Sequence, residues 1–435
     1  MSKYDKASLV HIPSGYKSGT LYNVLPNDAD GDFNFTRAST ATRVDENGLI
    51  ETIAIGTPRL NYPLLDGVVQ DNPTLLLEPQ RTNLEVNSED IAGYSQLTNV
   101  TATNNQSISP DGGVNASLVT TNAVNGKHEL RNTNITFASG TNYTVSVFVK
   151  ANGYDYFAIK FAATNSVFDD DYAWFKVSNG TTGTIDADID STSIEYYGNG
   201  WYRITATQQA NATASGKIFL AIGNADNTPI FLGDGSSGFY VWGFQVEAGS
   251  YPTSYIPSLT GSQTTRSADA ANGAGTANDF NDSEGVLYAN IAALADDLTF
   301  RQITINDGSL NTLLFGYRTN SNRIYTQLVS NNVSQSFLSF DVANITEFHK
   351  VATKYSTNSV HFWIDGFKRS SDTSAVMMTG INKMDLRGTT GSGIFYGKAK
   401  EVIAFNEALS DTELEALTSY DSFNEMATEQ LYTIE

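Results

Sequence analysis

Four side-chain types in this 435-residue chain carry the chemistry on offer: imidazole, carboxylate, guanidinium and aromatic ring. The four histidines, His11, His128, His349 and His361, fall in three separate regions, and none has a partner at the spacing of a metal pair or a catalytic triad. They read as structural. No Gly-x-Ser-x-Gly elbow and no Walker-type loop occurs. The absence of cysteine removes thiolate metal sites, cysteine nucleophiles and disulfides together. Carboxylates are plentiful, and a hydrolytic pair needs only two acids roughly 5 to 9.5 Å apart in a cleft, a distance that sequence spacing does not reveal. No sustained short repeat of the β-helix kind is present. The expectation is a protein that is not an enzyme, with hydrolysis as the distant alternative.

Aromatic residues are where a sugar would be held, because the apolar face of a sugar ring stacks on a phenol or indole while neighbouring amides and carboxylates take its hydroxyls. The candidates are Tyr154, Tyr156, Tyr172, Trp174 and Tyr197, which stand near glycines or acids; Trp201, Trp242 and Trp363 sit in alternating strands and read as core. Asp169, Asp170 and Asp171, with the loop Asn224–Asn227, offer the hard oxygens that calcium takes, so a structural calcium is the one cofactor to consider; a solvated acidic loop is the plainer reading. Arg37, Arg43, Arg59 and Arg81 stand among small and apolar residues near the N-terminus. Their forks suit fixed pairing with carboxylates or carbonyls at an attachment interface, and equally ordinary pairs within the segment.

The elements that must position these groups are strands. Thr, Asn, Ser, Gly, Tyr and Phe dominate, while Leu, Lys, Glu and Arg are too sparse for long surface helices, so the fold class is all-β. Residues 1–85 read as short strands and loops with little core of their own, an extended N-terminal attachment segment. Residues 86–258 alternate with period two, as in Tyr143–Lys150 and Trp201–Thr207, and describe a jelly roll. Residues 259–282, rich in Ser, Thr, Gly, Ala and Asn, read as a linker, and 283–420 as a second sandwich, with a turn at Asp365–Gly366. Ser410 and Glu413 form a capping box that predicts one helix near the end; residues 421–435 read as a loose tail.

With 47 acidic and 26 basic side chains the net charge is −21, and no basic block occurs, which argues against nucleic acid as a partner. No run of about 18 apolar residues is present, so no membrane insertion is expected. The opening residues lack the apolar run of a signal peptide, and synthesis in a cytosol is the expectation.

Several pieces in one order resemble known proteins. Phe35–Val44, Pro58–Tyr62 and Leu75–Leu84 resemble a segment that recurs in phage head-fibre and tail-fibre proteins. Asn199–Arg203 and Val241–Pro257 resemble the carbohydrate-binding-like jelly roll that follows this segment, and Trp363–Gly366 with Glu401–Asp411 is similar to a concanavalin-like, laminin G-type sandwich. The resemblance implies a virion protein assembled in the host cytoplasm, docked on other virion proteins through residues 1–85, and displaying glycan-binding-type modules to a host surface glycan. It also implies a homo-oligomer, a trimer ahead of a dimer. A purely structural capsid or tail component and a glycan depolymerase stay open beside it, because such folds serve many functions.

Overall fold

The computed structural model describes residues 4–420 and 422; the expected tail at 421–435 otherwise lies outside the described residues. The chain is nearly all β, in antiparallel sheets. Period-two alternation builds the jelly roll. One sheet runs Val100–Ser107, Ala116–Thr121, Gly238–Ala248, Asn142–Asn152, Trp201–Gln209, Ser191–Tyr196. The other runs Gln96–Thr98, Asn125–Arg131, Ile218–Gly223, Tyr156–Phe161, Asp171–Lys176, Thr181–Ile185, with Ile230–Leu232 also pairing with Asn125–Arg131. Val145, Val147, Val149 and Ile204 of the first meet Phe157, Ile159, Phe175 and Leu220 of the second in one buried cluster.

The second sandwich draws on the whole chain. Its eight-stranded sheet runs Phe367–Asp372, Ser359–Ile364, His349–Ser356, Glu284–Ala293, Gly397–Phe405, Thr74–Leu77, Leu60–Asn61, with Leu9–His11 also pairing with Gly397–Phe405. The nine-stranded sheet runs Tyr16–Lys17, Thr20–Leu21, Phe33–Thr36, Ala270–Ala274, Lys383–Asp385, Arg301–Asn306, Thr312–Tyr317, Arg323–Ser330, Val333–Asp341.

Two sequence expectations therefore change. Residues 1–85 are not a separate arm, because Leu9, Phe33, Phe35, Leu60, Leu75 and Leu77 lie in the same core as Leu287 and Phe315. Short apolar strands that cannot close a core of their own complete the sheets of another. Nor is 259–282 a free linker: Thr264–Arg266 pairs with Arg81–Asn83, and Ala270–Ala274 pairs on both sides within the nine-stranded sheet. Ala271 and Ala274 are fully buried, and their small side chains let the strand pack without an apolar run to announce it.

The same long-range pairing gathers the arginines. Arg59 bonds both Glu78 and Asp269, Arg37 reaches Asp269 at 3.1 Å, and Arg266 reaches Glu78 at 2.8 Å, all with side chains at most 4% exposed. Ser254 of the segment leaving the jelly roll donates to Glu78 from its backbone N at 2.8 Å and its Oγ at 2.7 Å. The Arg59 and Arg266 charges hold the Glu78 carboxyl below its ordinary range, against the burial that would raise it. Arg37 and Arg59 are thus corrected from attachment residues to internal ones, since buried forks already paired within the chain have nothing left to offer a partner. Arg43 pairs with Glu51 at 2.6 Å and donates to the Leu60 carbonyl at 3.0 Å; Arg81 lies 5.3 Å over the Tyr251 ring and 3.8 Å from buried Glu247. The four arginines tie the chain to itself.

Two sheet faces acquire covers. On the outside of the six-stranded sheet, Phe148, Trp201 and Trp242 pack under Ile50, from the hairpin of Ala41–Val44 and Ile50–Ile53, and under Tyr255. On the outside of the eight-stranded sheet, Tyr288, Trp363 and Ile403 pack under Leu414 and Leu417 of the helix Asp411–Thr418. Its predicted capping box is present: Ser410 Oγ accepts from Glu413 N, and Glu413 accepts from Ser410 N at 2.8 Å. The three tryptophans read as core are at most 5% exposed. No described helix is long and apolar enough to cross a membrane.

Candidate functional site

The outer face of the seven-stranded jelly-roll sheet is covered in part: Ala158, Lys160, Tyr172, Trp174, Phe219, Ala221 and Glu129 are at most 8% exposed, while Tyr156, Lys127 and Lys176 stand half-buried beside them. In Tyr156–Phe161 the odd positions Phe157, Ile159 and Phe161 enter the core, so Tyr156, Ala158 and Lys160 point outward; in Asp171–Lys176 the same rule sends Tyr172, Trp174 and Lys176 outward. Register then aligns them in rows. Lys176 faces Tyr156, Trp174 faces Ala158, and Tyr172 faces Lys160, while Ala221 and Phe219 of the next strand continue the last two rows. Glu129 lies opposite Ala221 one strand further on.

The result is a polar and aromatic face with a floor of small residues. The rings of Tyr172 and Trp174 stack at 5.7 Å and 10°. Lys160 lies 5.0 Å over Tyr172 and 5.5 Å over Phe219, with its ammonium 2.9 Å from Asp170. Burial works against the Lys160 charge, but Asp170 and Tyr172 hold its pKa above the ordinary lysine value. Lys127 donates to the Tyr172 hydroxyl at 3.4 Å, Lys176 lies 5.9 Å over Tyr156, and Arg131 lies 5.6 Å over Phe219.

Of the five aromatic candidates, three come together here. Tyr156 is half-buried and presents its ring, Tyr172 is 8% exposed, and Trp174 is 0% exposed. Trp174 is corrected from a stacking surface to a support. The loop after Ile218–Gly223 lies over it, fastened where Asp226 accepts from Thr184 N at 2.9 Å and Thr184 Oγ1 at 3.0 Å. That is what Asp226 does, rather than wait for a cation. Tyr154 leaves the group: it packs edge-on against Phe231 at 5.3 Å at the rim of the core. Tyr197 stands on the opposite sheet, edge-on to Phe148 at 5.0 Å beside the covered face.

The acidic run also divides. Carboxylate oxygens of Asp169, Asp171 and Asp188 lie within 4.8 Å of one another, a hard-oxygen set of the kind calcium takes, whereas Asp170 turns away to Lys160. Asn211 donates to Asp169 at 2.9 Å and Gln208 to Asp171 at 2.6 Å; burial, with Asp188 and Asp186 nearby, raises the Asp171 pKa. Asp188 could not be reached by reading consecutive acids. Lys160 could have been, since the alternation that selects Tyr156 selects it too; Glu129, Lys127 and Phe219 required strand order.

The histidines hold local partners. His11 Nδ1 meets Asn23 at 2.9 Å, His128 meets the Asn99 and Phe231 carbonyls, and His361 lies 3.4 Å from Asp411. His349 meets Asp365 at 2.6 Å, which raises its pKa despite burial.

No protein-family model and no curated protein sequence matches the chain. Among solved structures, a carbohydrate-binding module of the Ruminococcus gnavus sialidase, described as bound to α2,3-sialyllactose, overlaps 32% of this chain and 84% of its own at 16% identity and TM-score 0.28. A Limulus polyphemus pentraxin overlaps 32% of this chain and 71% of its own, at 10% identity and TM-score 0.25. Mouse laminin α1 domains LG4-5 overlap 75% of this chain and 95% of their own, at 10% identity and TM-score 0.22. At these scores the overlaps assign nothing to this chain.

Proposed function

We propose that the chain is a bacteriophage virion adhesion protein, a fibre, spike or decoration component, that holds surface glycans without cleaving them. The observation that carries the binding half is the accessible part of the jelly-roll face: half-buried Tyr156, packed against buried Tyr172 and Trp174, stands between Lys127 and Lys176. A sugar laid on Tyr156 would find the ammonium donors of Lys127 and Lys176 on two sides. The virion half rests on the sequence resemblance of Phe35–Val44 and Leu75–Leu84 to phage fibre segments. Repetition in a trimer or dimer would turn a weak single contact into useful avidity. A purely structural virion role is the second reading, favoured by the burial of Trp174 and the internal pairing of Lys160.

The test is competition. Purified full chain, added in excess, is expected to slow adsorption of particles that carry it to their host cells, and an antibody against it is expected to label those particles. Labelled particles whose adsorption is unaffected would shift the assignment to the structural reading. Unlabelled particles would end the virion assignment.

A further inference from the structure

The nine-stranded sheet has an open outer face of a different make. Its inward residues, Ile303, Phe315, Tyr317 and Ile324, enter the core. The alternate positions face out, together with Arg318 just past the strand Thr312–Tyr317. The Arg318 guanidinium carbon lies 5.4 Å from the Phe300 ring centroid, 5.3 Å from Tyr325 and 4.8 Å from Phe337. Tyr325 is the floor at 1% exposure, fixed by Gln302 Nε2 donating to its hydroxyl at 2.5 Å; Phe300 and Phe337 are walls at 43% and 42% exposure.

What is missing is a counter-charge. The next arginine in the row, Arg323, is held by both oxygens of Asp341 at 2.6 and 2.8 Å. Among the described residues Arg318 has no carboxylate partner and donates no hydrogen bond. Its Nε is buried and unpartnered, and the residue as a whole is half-buried. Arg369, over Phe340 and Phe367, and Arg387 also lack a carboxylate partner among the described residues; Arg318 is set apart by the three rings gathered around it. Three rings surround the guanidinium, whose two terminal nitrogens form a fork of N–H donors that matches a carboxylate.

We propose that this cage is a binding site for a saccharide bearing a ring carboxylate, the carboxylate on the Arg318 fork and the sugar's apolar face on Phe337 or Phe300. The inference rests on the glycan-binding reading but places the site on the other sandwich and names the ligand class. Phe300 also lines a crevice of about 350 Å³ with Arg81, Tyr251 and Tyr396, room for a following sugar unit.

The experiment titrates the full chain by calorimetry with a hexuronic-acid oligosaccharide and a sialylated trisaccharide, each beside its carboxyl-reduced form, at low and high salt. The carboxylated forms are expected to bind at least tenfold more tightly than the reduced ones. Arg318→Gln should abolish that preference, Arg318→Lys should restore only part of it, and Phe337→Ala should weaken binding with the preference kept, all with unchanged circular dichroism. Equal affinity for acid and reduced forms overturns the proposal. So does a change in self-association, rather than saccharide binding, in Arg318→Gln. Neutral-glycan binding that is lost in Tyr156→Ala while Arg318→Gln has no effect overturns this inference alone; loss of all glycan binding by the folded wild type overturns the adhesion reading as well.

Discussion

The two partly open sheet faces handle charge in opposite ways. On the jelly roll, Lys160 lies across aromatic rings and is neutralised by Asp170 of its own chain, and the largest ring, Trp174, is sealed under a loop. On the second sandwich, Arg318 also lies against aromatic rings, two of them exposed, and no acid among the described residues pairs with it. A cation over rings is common packing; a cation with no acid beside it among the described residues is an invitation to an anion. The jelly-roll face, with Lys127 and Lys176 on either side of Tyr156 and Glu129 two strands away, carries both charge signs and so suits neutral sugars on Tyr156, and the second face suits acidic ones.

The harshest way to break this comparison is to loosen the junction that pins the Ala41–Val44 hairpin and the Ser254–Tyr255 segment over the six-stranded sheet. Glu78→Gln leaves Arg59 and Arg266 buried with one acid fewer and is expected to cost roughly 3–5 kcal/mol in chemical denaturation; a loss under about 1 kcal/mol would mean that the junction does not hold that cover in place.

A second lever lies at the entrance to the jelly roll. Burial raises the Glu85 carboxyl to about 8, opposed by Asn132, the Val86 N–H and Arg131. Because the folded value is above the unfolded one, the folded state holds the proton more tightly. Stability present below about pH 4.5 is then lost as pH rises through about 8. Glu85→Gln should flatten that decline and gain roughly 1–3 kcal/mol at pH 8, read from melting curves at pH 5 and pH 8. A variant that melts lower at both would contradict it.

Smaller effects sharpen the contrast between the faces. Tyr156→Ala should weaken neutral-glycan binding by about tenfold, the worth of one stacked ring, and leave acidic-sugar binding unchanged in the same titration. Asp170→Asn should cost less than about 1 kcal/mol, because Asp170 is largely solvated. It should also give the jelly-roll face a measurable response to carboxylated sugars that the wild type lacks.

Alternation made much of this legible. Tyr143–Lys150 and Trp201–Thr207 are strands as read, Asp365 and Gly366 make the predicted turn with φ of 50° and 80°, and Ser410 caps the one predicted helix. What stayed hidden depends on partners far away in sequence. Arg59 meets Asp269 across 210 residues, so nothing local distinguishes it from a surface arginine. Ala270–Ala274 is a strand because Phe33–Thr36 and Lys383–Asp385 lie on either side, and its small residues look like a linker until they do. Trp174 looked accessible because the Asp226 loop that covers it begins about fifty residues later. Arg318 was passed over for the opposite reason: its three rings come from three different strands or strand ends.

The most direct test of the account is binding of the folded full chain to a glycan panel, neutral and carboxylated, with the reaction mixture checked for cleavage products. The account predicts binding without cleavage, divided between Tyr156→Ala for the neutral ligands and Arg318→Gln for the acidic ones. Cleaved glycan, or no binding of either class, would contradict it.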